Sequence, residues 1–257
     1  MENKELEIGP SQLIRQRFSK AAESYEKEAT VQRRIATTMN QLLQRELSPS
    51  VIRQVLEIGC GTGIFSRLLV RTFSPERMLL NDLCPEMKYN LQDLLNPQIR
   101  FQPGDAENYP FPDRYHLIAS CSALQWFKDP GAFFTKAHSL LAPSGILAFS
   151  TFGKENMKEI AALTGQGLPY LSLREITGML SPDYALIHAS EEQITKTFPT
   201  AMEVLYHLKR TGVTGIQQQQ WTKERLSRFC SEYNRIFNVD GSLPLTYHPI
   251  YIIAKKK

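Results

Sequence analysis

The sequence predicts an α/β fold built on a mostly parallel sheet, because short apolar segments alternate with helical ones along its middle part. Each of the five apolar segments has the length of a buried strand. The predicted strands cover residues 54–58, 77–82, 99–106, 115–120 and 145–151, and helices are predicted at 65–70, 85–95 and 133–141. In such a sheet, ligands bind beyond the carboxyl ends of the strands.

Three glycines at alternate positions, Gly59, Gly61 and Gly63, follow the first predicted strand and precede a helix. Glycine is needed where the backbone adopts a positive φ or must approach a ligand closely. The N–H groups at the start of the helix carry a positive partial charge and face the same ligand. The turn therefore predicts a site for a small ligand whose anionic end lies at the helix N-terminus.

Acidic or hydroxyl side chains stand at the ends of the following strands. Asp82 comes 23 positions after Gly59, Asp105 ends the third predicted strand, and Ser120 ends the fourth. In nucleotide-binding α/β folds, an acid about 20 residues beyond the glycines accepts hydrogen bonds from a ribose. Each acid alone could instead cap a helix N-terminus. Their common position at the carboxyl edge of the sheet favours a single nucleotide site.

Composition argues against several other classes of protein. The 257 residues are 42% hydrophobic and 22% charged, which is ordinary for a globular protein. Because no apolar run reaches about 18 residues and the charged N-terminus is not a signal peptide, we expect a cytoplasmic protein without membrane association. The net charge of +4 does not predict nucleic-acid binding. We expect no metal site and a reducing compartment, because the cysteines are widely separated: Cys60, Cys84, Cys121 and Cys230.

The glycine turn does not match the dinucleotide pattern Gly-x-Gly-x-x-Gly, since the third glycine is replaced by Ile64 or Ser66. The spacing Glu57-x-Gly-x-Gly-x-Gly, followed by Asp82 and by Gly-Asp-Ala at 104–106, resembles the class I S-adenosylmethionine-dependent methyltransferases. The resemblance covers residues 50–152. It implies a Rossmann-like, mostly parallel sheet with an antiparallel last strand, and S-adenosylmethionine as the cofactor.

The same resemblance implies a role for each strand-end residue. Asp82 would bind the ribose hydroxyls, Asp105 the adenine amino group with Ala106 beside the ring, and Glu57 would orient the loop or the cofactor's amino group. Cys60 would be present because a small side chain fits the loop. The complete cofactor-binding set is Glu57, Gly59, Cys60, Gly61, Gly63, Asp82, Leu83, Asp105, Ala106 and Ser120.

Segments outside this core are similar to the malonyl-acyl-carrier-protein O-methyltransferases of biotin synthesis. The similar segments are 18–25, 31–34, 120–127, 207–215 and 245–254. Lys20 stands where arginine is expected in that family, which keeps the charge but loses the planar fork. Methyltransferases of other small acids and of quinones share some of these outer motifs.

We expect one domain over residues 1–257, with a lid rather than a second domain. Its N-terminal part, about 1–48, is predicted to be helical over 11–47. The cofactor-binding core spans 50–152, and the last strand lies within 246–257. The intervening residues 153–245 are predicted to hold a rim loop at 165–170, a strand at 193–198 and a cap of helices at 201–209 and 222–237, with the last strand itself at 247–254.

The resemblance implies methyl transfer to the free carboxylate of a malonyl thioester carried on acyl carrier protein, with malonyl-coenzyme A as the alternative carrier. A carboxylic acid with a pKa near ~4 is already ionised at neutral pH, so no general base is required. Tyr25, Gln125 and Trp126 are the candidates for positioning. The candidate substrate residues are Tyr25, Trp126, Lys209, Arg210, Tyr247 and His248, although the rings could instead belong to the core and the bases could be solvated.

Three alternatives remain open from the sequence. The acceptor could be another small carboxylate or a quinone-like molecule. The same sheet could serve a nicotinamide-dependent oxidoreductase, although the glycine pattern counts against this. A non-catalytic relative could bind a nucleotide or a carrier protein.

Overall fold

The computed structural model describes residues 15, 28–112, 114–212 and 221–257. Most of the helical segment predicted before residue 28 therefore lies outside the described residues, and so does Tyr25. The later part of that segment forms helix α1 (Thr30–Glu46). Ile35, Met39 and Leu43 recur at helical spacing on its buried face.

The described residues form nine strands, and seven of these make one sheet in the order β3-β2-β1-β4-β5-β9-β6. Strands β1 to β5 pair in parallel, whereas β9 runs antiparallel to its neighbours β5 and β6. The prediction of a mostly parallel sheet with an antiparallel last strand is confirmed. The strands are β1 (Gln54–Ile58), β2 (Arg77–Asp82), β3 (Ile99–Pro103), β4 (Tyr115–Cys121), β5 (Leu141–Phe152), β6 (Tyr184–Glu191), β7 (Ile194–Phe198), β8 (Leu243–Tyr247) and β9 (Pro249–Lys256).

Helices cover both faces of this sheet, as is usual where crossover connections join parallel strands. Strand residues alternate between the two faces; in β9, Tyr251 and Ile253 join one apolar core while Ile250 and Ile252 join the other. The first core also contains residues of α1, α2, α4, α6 and α7, and the second contains residues of α3 and α5. The remaining helices are α2 (Ile64–Phe73), α3 (Pro130–Leu140), α4 (Lys158–Thr164), α5 (Leu173–Leu180), α6 (Ala201–Arg210) and α7 (Lys223–Phe237).

The segment predicted as a helix at 85–95 is instead a short 3₁₀ helix, Pro85–Leu91, followed by turns. Side chains form hydrogen bonds with backbone groups near both ends of this 3₁₀ helix. The Cys84 N–H donates to Asp82 Oδ1, and the Asn90 carbonyl accepts from the Arg67 guanidinium. These bonds hold the segment close to the glycine turn and replace part of the regular helical pattern.

The last third of the chain differs most from the prediction. The strand at 193–198 is β7, but it pairs with β8 in a separate two-stranded sheet. The strand predicted at 247–254 is split at His248, whose backbone bonds to Asn156 Oδ1 and to the Gly153 N–H rather than to a neighbouring strand. Edge strand β6 was not predicted, because most of its side chains are exposed and give no apolar alternation.

Candidate functional site

A cavity of about 160 Å³ lies at the carboxyl ends of β1, β2, β3 and β4. We call it the large cavity. The glycine turn after β1, the ends of the other three strands and one face of α1 form its wall. An open parallel sheet binds ligands at this edge. Most of the predicted cofactor residues line it: Glu57, Gly59, Cys60, Gly61, Asp82, Leu83, Asp105 and Ala106.

The glycines of the turn serve different purposes. All three have positive φ, between 52° and 84°. A Cβ on Gly59 would lie 2.4 Å from the Cβ of Ala123, so glycine is required there for packing. A Cβ on Gly61 would meet no atom within 4 Å, because its backbone borders open space. Gly63 caps α2 and does not line the cavity; a Cβ there would lie 2.6 Å from Leu91.

Asp82 joins the glycine turn to the end of β2. Its Oδ2 accepts from the Gly61 N–H at 2.8 Å, and its Oδ1 accepts from the Cys84 N–H at 2.8 Å. Burial raises the pKa of Asp82 above its ordinary value, although the two N–H groups oppose that shift. Each carboxylate oxygen retains a lone pair that could accept from a ligand hydroxyl.

Asp105 lies on the same cavity, so the two aspartates converge at one edge of the sheet. The Gly104 N–H donates to the Asp82 carbonyl at 2.9 Å and ties the two strand ends together. Asp105 Oδ1 accepts from the Glu107 N–H, and Oδ2 accepts from the Asn108 amide. These bonds close a tight loop that presents the buried Ala106 to the cavity.

Lys136 of α3 supports this loop from behind. Its ammonium donates to the carbonyls of Ala106, Glu107 and Tyr109, at 3.0, 3.1 and 2.6 Å. The Glu107 carboxylate in turn accepts from the backbone N–H of Lys128. The loop after β3 is therefore held in one arrangement by groups on α3 and the segment before it.

Glu57 is the most deeply buried acid of the large cavity, with 1% of its surface exposed. Burial, together with the nearby negative charge of Asp82, raises its pKa to about 8. Its Oε2 has no hydrogen-bond partner among the described residues, and neither has Oε1 of Gln32, which lines the same cavity. Unpaired buried acceptors of this kind suit a cationic ligand group such as an ammonium.

A second, smaller cavity of about 20 Å³ adjoins the first, and we call it the small cavity. Gln32, Ser122 and Trp126 line both cavities. The remaining residues of its wall come from five separate segments: Gln125, Phe152, Asn156, Met157, Tyr170, Thr211 and Tyr247. Two of the predicted positioning residues, Gln125 and Trp126, therefore meet the predicted substrate residue Tyr247 here.

Tyr247 bonds to a buried histidine behind the small cavity. Its hydroxyl lies 2.7 Å from His207 Nε2, and His207 Nδ1 lies 3.7 Å from a carboxylate oxygen of Glu28. Burial and the positive charge of Lys196 lower the pKa of His207 to about 4, so the imidazole is neutral at neutral pH. Arg210 pairs with Glu28 at 2.9 Å. This histidine was not predicted as a site residue.

Five of the predicted residues that the structure describes line neither cavity: Gly63, Ser120, Lys209, Arg210 and His248. Ser120 is buried beneath the large cavity wall, and Lys209 and Arg210 are exposed at the end of α6. His248 accepts from the Glu155 N–H at 3.1 Å and lies 3.2 Å from Glu191, so its ring holds the loop after β5. The lining residues that were not predicted include Gln32, Ala36, Cys84, Met87, Cys121, Ser122, Ala123, Phe127, Asn156 and Tyr170.

Comparisons with known proteins agree with this geometry. A family model described as "Methyltransferase domain" matches residues 56–149. Over 256 residues the chain is 52% identical to the malonyl-[acyl-carrier protein] O-methyltransferase of Bacteroides thetaiotaomicron, covering 95% of this chain and 98% of that relative. The chain belongs to the malonyl-[acyl-carrier protein] O-methyltransferase family. The family member from Haemophilus influenzae is 38% identical over 94% of this chain and 93% of its own length.

A further member of this family, from Bacteroides fragilis, is 56% identical over 95% of this chain, but the chain spans only 50% of that relative's length. Among solved structures, the YcgJ protein of Bacillus subtilis has a TM-score of 0.63 at 19% identity, covering 86% of this chain and 99% of its own. The N-methyltransferase NodS, solved with S-adenosyl-l-homocysteine, has a TM-score of 0.51 at 15% identity, with 86% of each chain covered. These two structures share the methyltransferase fold of this protein.

The described residues contain no helix long and apolar enough to cross a membrane. Nor do His, Cys, Asp and Glu side chains in that part of the chain gather in groups of three or more that could hold a metal ion.

Proposed function

We propose that the protein transfers a methyl group from S-adenosylmethionine to the free carboxylate of a malonyl thioester on acyl carrier protein, and so forms a methyl ester. The observation that carries this proposal is the 52% identity, over nearly the whole of both chains, to a relative named for this activity. The large cavity supports it, because three strand ends place acids and open backbone around one space.

The residues of the large cavity fit the proposed cofactor. Asp82 would accept from the ribose hydroxyls, and Asp105 from the adenine amino group beside Ala106. The unpaired oxygen of Glu57 would accept a hydrogen bond from the ammonium group, because no described residue donates to it. The backbone of Gly61, which borders open space, would lie beside the methionine part of S-adenosylmethionine. When bound, S-adenosylmethionine supplies an electrophilic methyl group on its sulfonium.

The protein's contribution to the reaction is to position the carboxylate and to exclude water. A carboxylate with a pKa near ~4 is ionised at neutral pH, so no side chain has to remove a proton. Trp126 lines both cavities and would separate the acyl group from solvent, with Gln125 beside it. Tyr25, which lies outside the described residues, is proposed to position the substrate from the N-terminal segment.

The carrier would approach the rim where α6 ends, because Lys209 is exposed there and Thr211, two residues later, lines the small cavity. Acyl carrier protein is acidic, and a positive rim would attract it at a distance. We further propose a cytoplasmic location, a single domain over residues 1–257, and the carrier protein rather than coenzyme A as the preferred acyl carrier.

Mass spectrometry of the acyl carrier protein tests the proposal. Purified protein is incubated with S-adenosylmethionine and with malonyl-, succinyl- or acetyl-carrier protein in parallel. We expect the malonyl group to gain one methyl group and the acetyl group to gain none, because acetyl has no free carboxylate. Methylation of a quinone or of an unrelated small acid, with no change to malonyl thioesters, would contradict the proposal.

A further inference from the structure

The small cavity contains polar atoms that the fold leaves unsatisfied. Gln32 Oε1, Ser122 Oγ and Gln125 Oε1 are buried in its wall without a hydrogen-bond partner among the described residues. Buried polar atoms without partners destabilise a fold, and native proteins contain few of them. Three such atoms around one cavity indicate that a polar group of a ligand occupies it.

The size and position of the small cavity limit what that group can be. A volume of about 20 Å³ holds roughly one water-sized group, which suits the end of a ligand but not a whole acyl chain. Since Gln32, Ser122 and Trp126 line both cavities, a group at this junction lies next to the large cavity. A small terminal group such as a carboxylate fits both conditions.

The wall offers hydroxyl donors for such a group. The Tyr170 hydroxyl accepts from Asn156 Nδ2 at 2.8 Å, which leaves its own proton for a further bond. Burial raises the pKa of Tyr170 to about 12, so the hydroxyl stays protonated. Among the described residues, the Ser122 hydroxyl interacts with the Cys121 thiol but is paired with no oxygen or nitrogen atom. The Gln32 amide can present its nitrogen instead of its oxygen by rotating about its last bond, since no described residue bonds to its oxygen.

In the part of the chain that the structure describes, no lysine or arginine lines either cavity. Gln125 uses its nitrogen to bond the Ser122 carbonyl at 2.6 Å, and it therefore faces the cavity with an acceptor. A carboxylate here would receive hydrogen bonds from a few uncharged donors and none from Gln125. No cationic side chain would neutralise its charge, which keeps its oxygens available to attack the methyl group.

We propose that the small cavity binds the free carboxylate of the malonyl group through uncharged donors, chiefly the hydroxyls of Ser122 and Tyr170. This assignment rests on the proposed methyl transfer to a malonyl thioester. In this assignment the small cavity recognises the carboxylate. The exposed basic side chains at the end of α6 would contact only the carrier protein. It also explains selection by length, because a longer diacid would place its carboxylate beyond this space.

The test measures binding rather than turnover. The probe is the malonyl thioester of N-acetylcysteamine, which has no carrier protein and no phosphate. It is titrated by calorimetry into protein saturated with S-adenosylhomocysteine, which cannot donate a methyl group. The variants are Ser122→Ala and Tyr170→Phe. The matched controls are Ser144→Ala, an exposed serine whose φ of 60° is close to the 58° of Ser122, and Tyr206→Phe, an exposed tyrosine on α6.

We expect each cavity variant to weaken binding of the malonyl thioester by about tenfold, as loss of one hydrogen bond to a charged group requires. S-adenosylhomocysteine should bind Tyr170→Phe as it binds the unchanged protein, because Tyr170 lines the small cavity and not the large one. In Ser122→Ala any loss of S-adenosylhomocysteine binding should be smaller than the loss of thioester binding, because Ser122 lines both cavities. Binding of S-adenosylhomocysteine also shows that each variant is folded. The controls should change neither affinity. Binding of the probe should vary less than about twofold between low and high salt, because no cation takes part.

Unchanged affinity for the thioester in both cavity variants would overturn the inference, and so would a steep loss of binding with salt. An equal loss in the controls would overturn it as well, because the effect would not then come from the cavity. These outcomes are distinct from failure of the proposed function. If the proposed function failed, the unchanged protein would methylate no malonyl thioester on any carrier.

Discussion

The large and small cavities adjoin each other but are built in different ways. The large cavity consists of backbone turns and carboxylates at the ends of neighbouring strands, so the sheet itself sets its geometry. The small cavity consists of side chains from α1, the loops after β4 and β5, the loop before α5, the end of α6, and β8. The proposed cofactor site thus belongs to the core of the fold, whereas the proposed acyl site is assembled by the elements added around it.

This difference has a functional consequence. Strand ends in a parallel sheet can present the same acids and the same glycine turn whatever surrounds them. Side chains brought from distant segments can change without disturbing the sheet. We infer that cofactor affinity depends on the first region and acceptor choice on the second, so substitutions should affect one property at a time.

The largest effect is expected from Asp82→Ala. The carboxylate would hold the ribose, and it also fixes the glycine turn through the Gly61 N–H. We expect affinity for S-adenosylhomocysteine to fall by about a hundredfold or more, since at least two charge-assisted hydrogen bonds are lost. Calorimetry measures this loss, with Asp183→Ala, an exposed aspartate at the other end of the sheet, as the control. Unchanged affinity would contradict the ribose assignment.

A pH dependence is expected from Glu57. Its pKa of about 8 in the unliganded protein means that the acid is mostly neutral at pH 7, whereas a bound ammonium would favour the ionised form. Affinity for S-adenosylhomocysteine should therefore rise by up to about tenfold per pH unit from about pH 6 to about pH 8, with release of a proton. Calorimetry in two buffers of different ionisation enthalpy detects that proton. Glu57→Gln should bind weakly at every pH and release none.

A second prediction for Glu57→Gln concerns the stability of the unliganded protein. The pKa of Glu57 is about 8 in the folded chain and 4.5 as its ordinary value. The contribution of Glu57 to the free energy of unfolding is therefore fully present below pH 4.5 and is lost as the pH rises through about 8. Glu57→Gln removes this loss. The melting temperature of the unliganded variant should exceed that of the unchanged protein by a few degrees near pH 8, and by less near pH 5. An equal difference at both pH values would contradict the burial argument.

A smaller effect is expected from Lys136→Met, because Lys136 supports the loop after β3 without lining the cavity. We expect about a fivefold loss of affinity for S-adenosylhomocysteine, as the loop that carries Asp105 loosens. Affinity for the malonyl thioester should not change. Lys128→Met, which removes a nearby exposed lysine, is the matched control. If both ligands lost affinity equally, the two regions would not be separable.

The smallest effect is expected from Lys209→Glu, which alters the rim but neither cavity. The KM for malonyl-carrier protein should rise by about threefold at low salt and by less at high salt, as for a solvent-exposed charge. The KM for the N-acetylcysteamine thioester should stay the same. Lys255→Glu is the control, since Lys255 is exposed, pairs with Ile146 in β5 and lines neither cavity. A change confined to kcat would exclude a role in docking.

The sequence predicted the large cavity well because its signals are local. The glycines, Asp82 and Asp105 each follow a strand, and parallel pairing brings strand ends together whatever the intervening sequence. Most of the small cavity could not be predicted in this way. Asn156, Tyr170 and Thr211 are ordinary loop residues in the sequence, and only the folded arrangement of three separate segments brings them beside Tyr247. His248 illustrates the converse: its motif suggested a substrate role, but the structure shows its ring bonded to a loop.

A two-step calorimetric titration tests the central claim most directly, namely that the two cavities bind two ligands side by side. S-adenosylhomocysteine is added first to the unchanged protein, and the malonyl thioester of N-acetylcysteamine is then added to the saturated complex. The account predicts one-to-one binding in each step, with the first ligand retained during the second. Displacement of S-adenosylhomocysteine by the thioester would mean that both compete for one space, and would contradict the account.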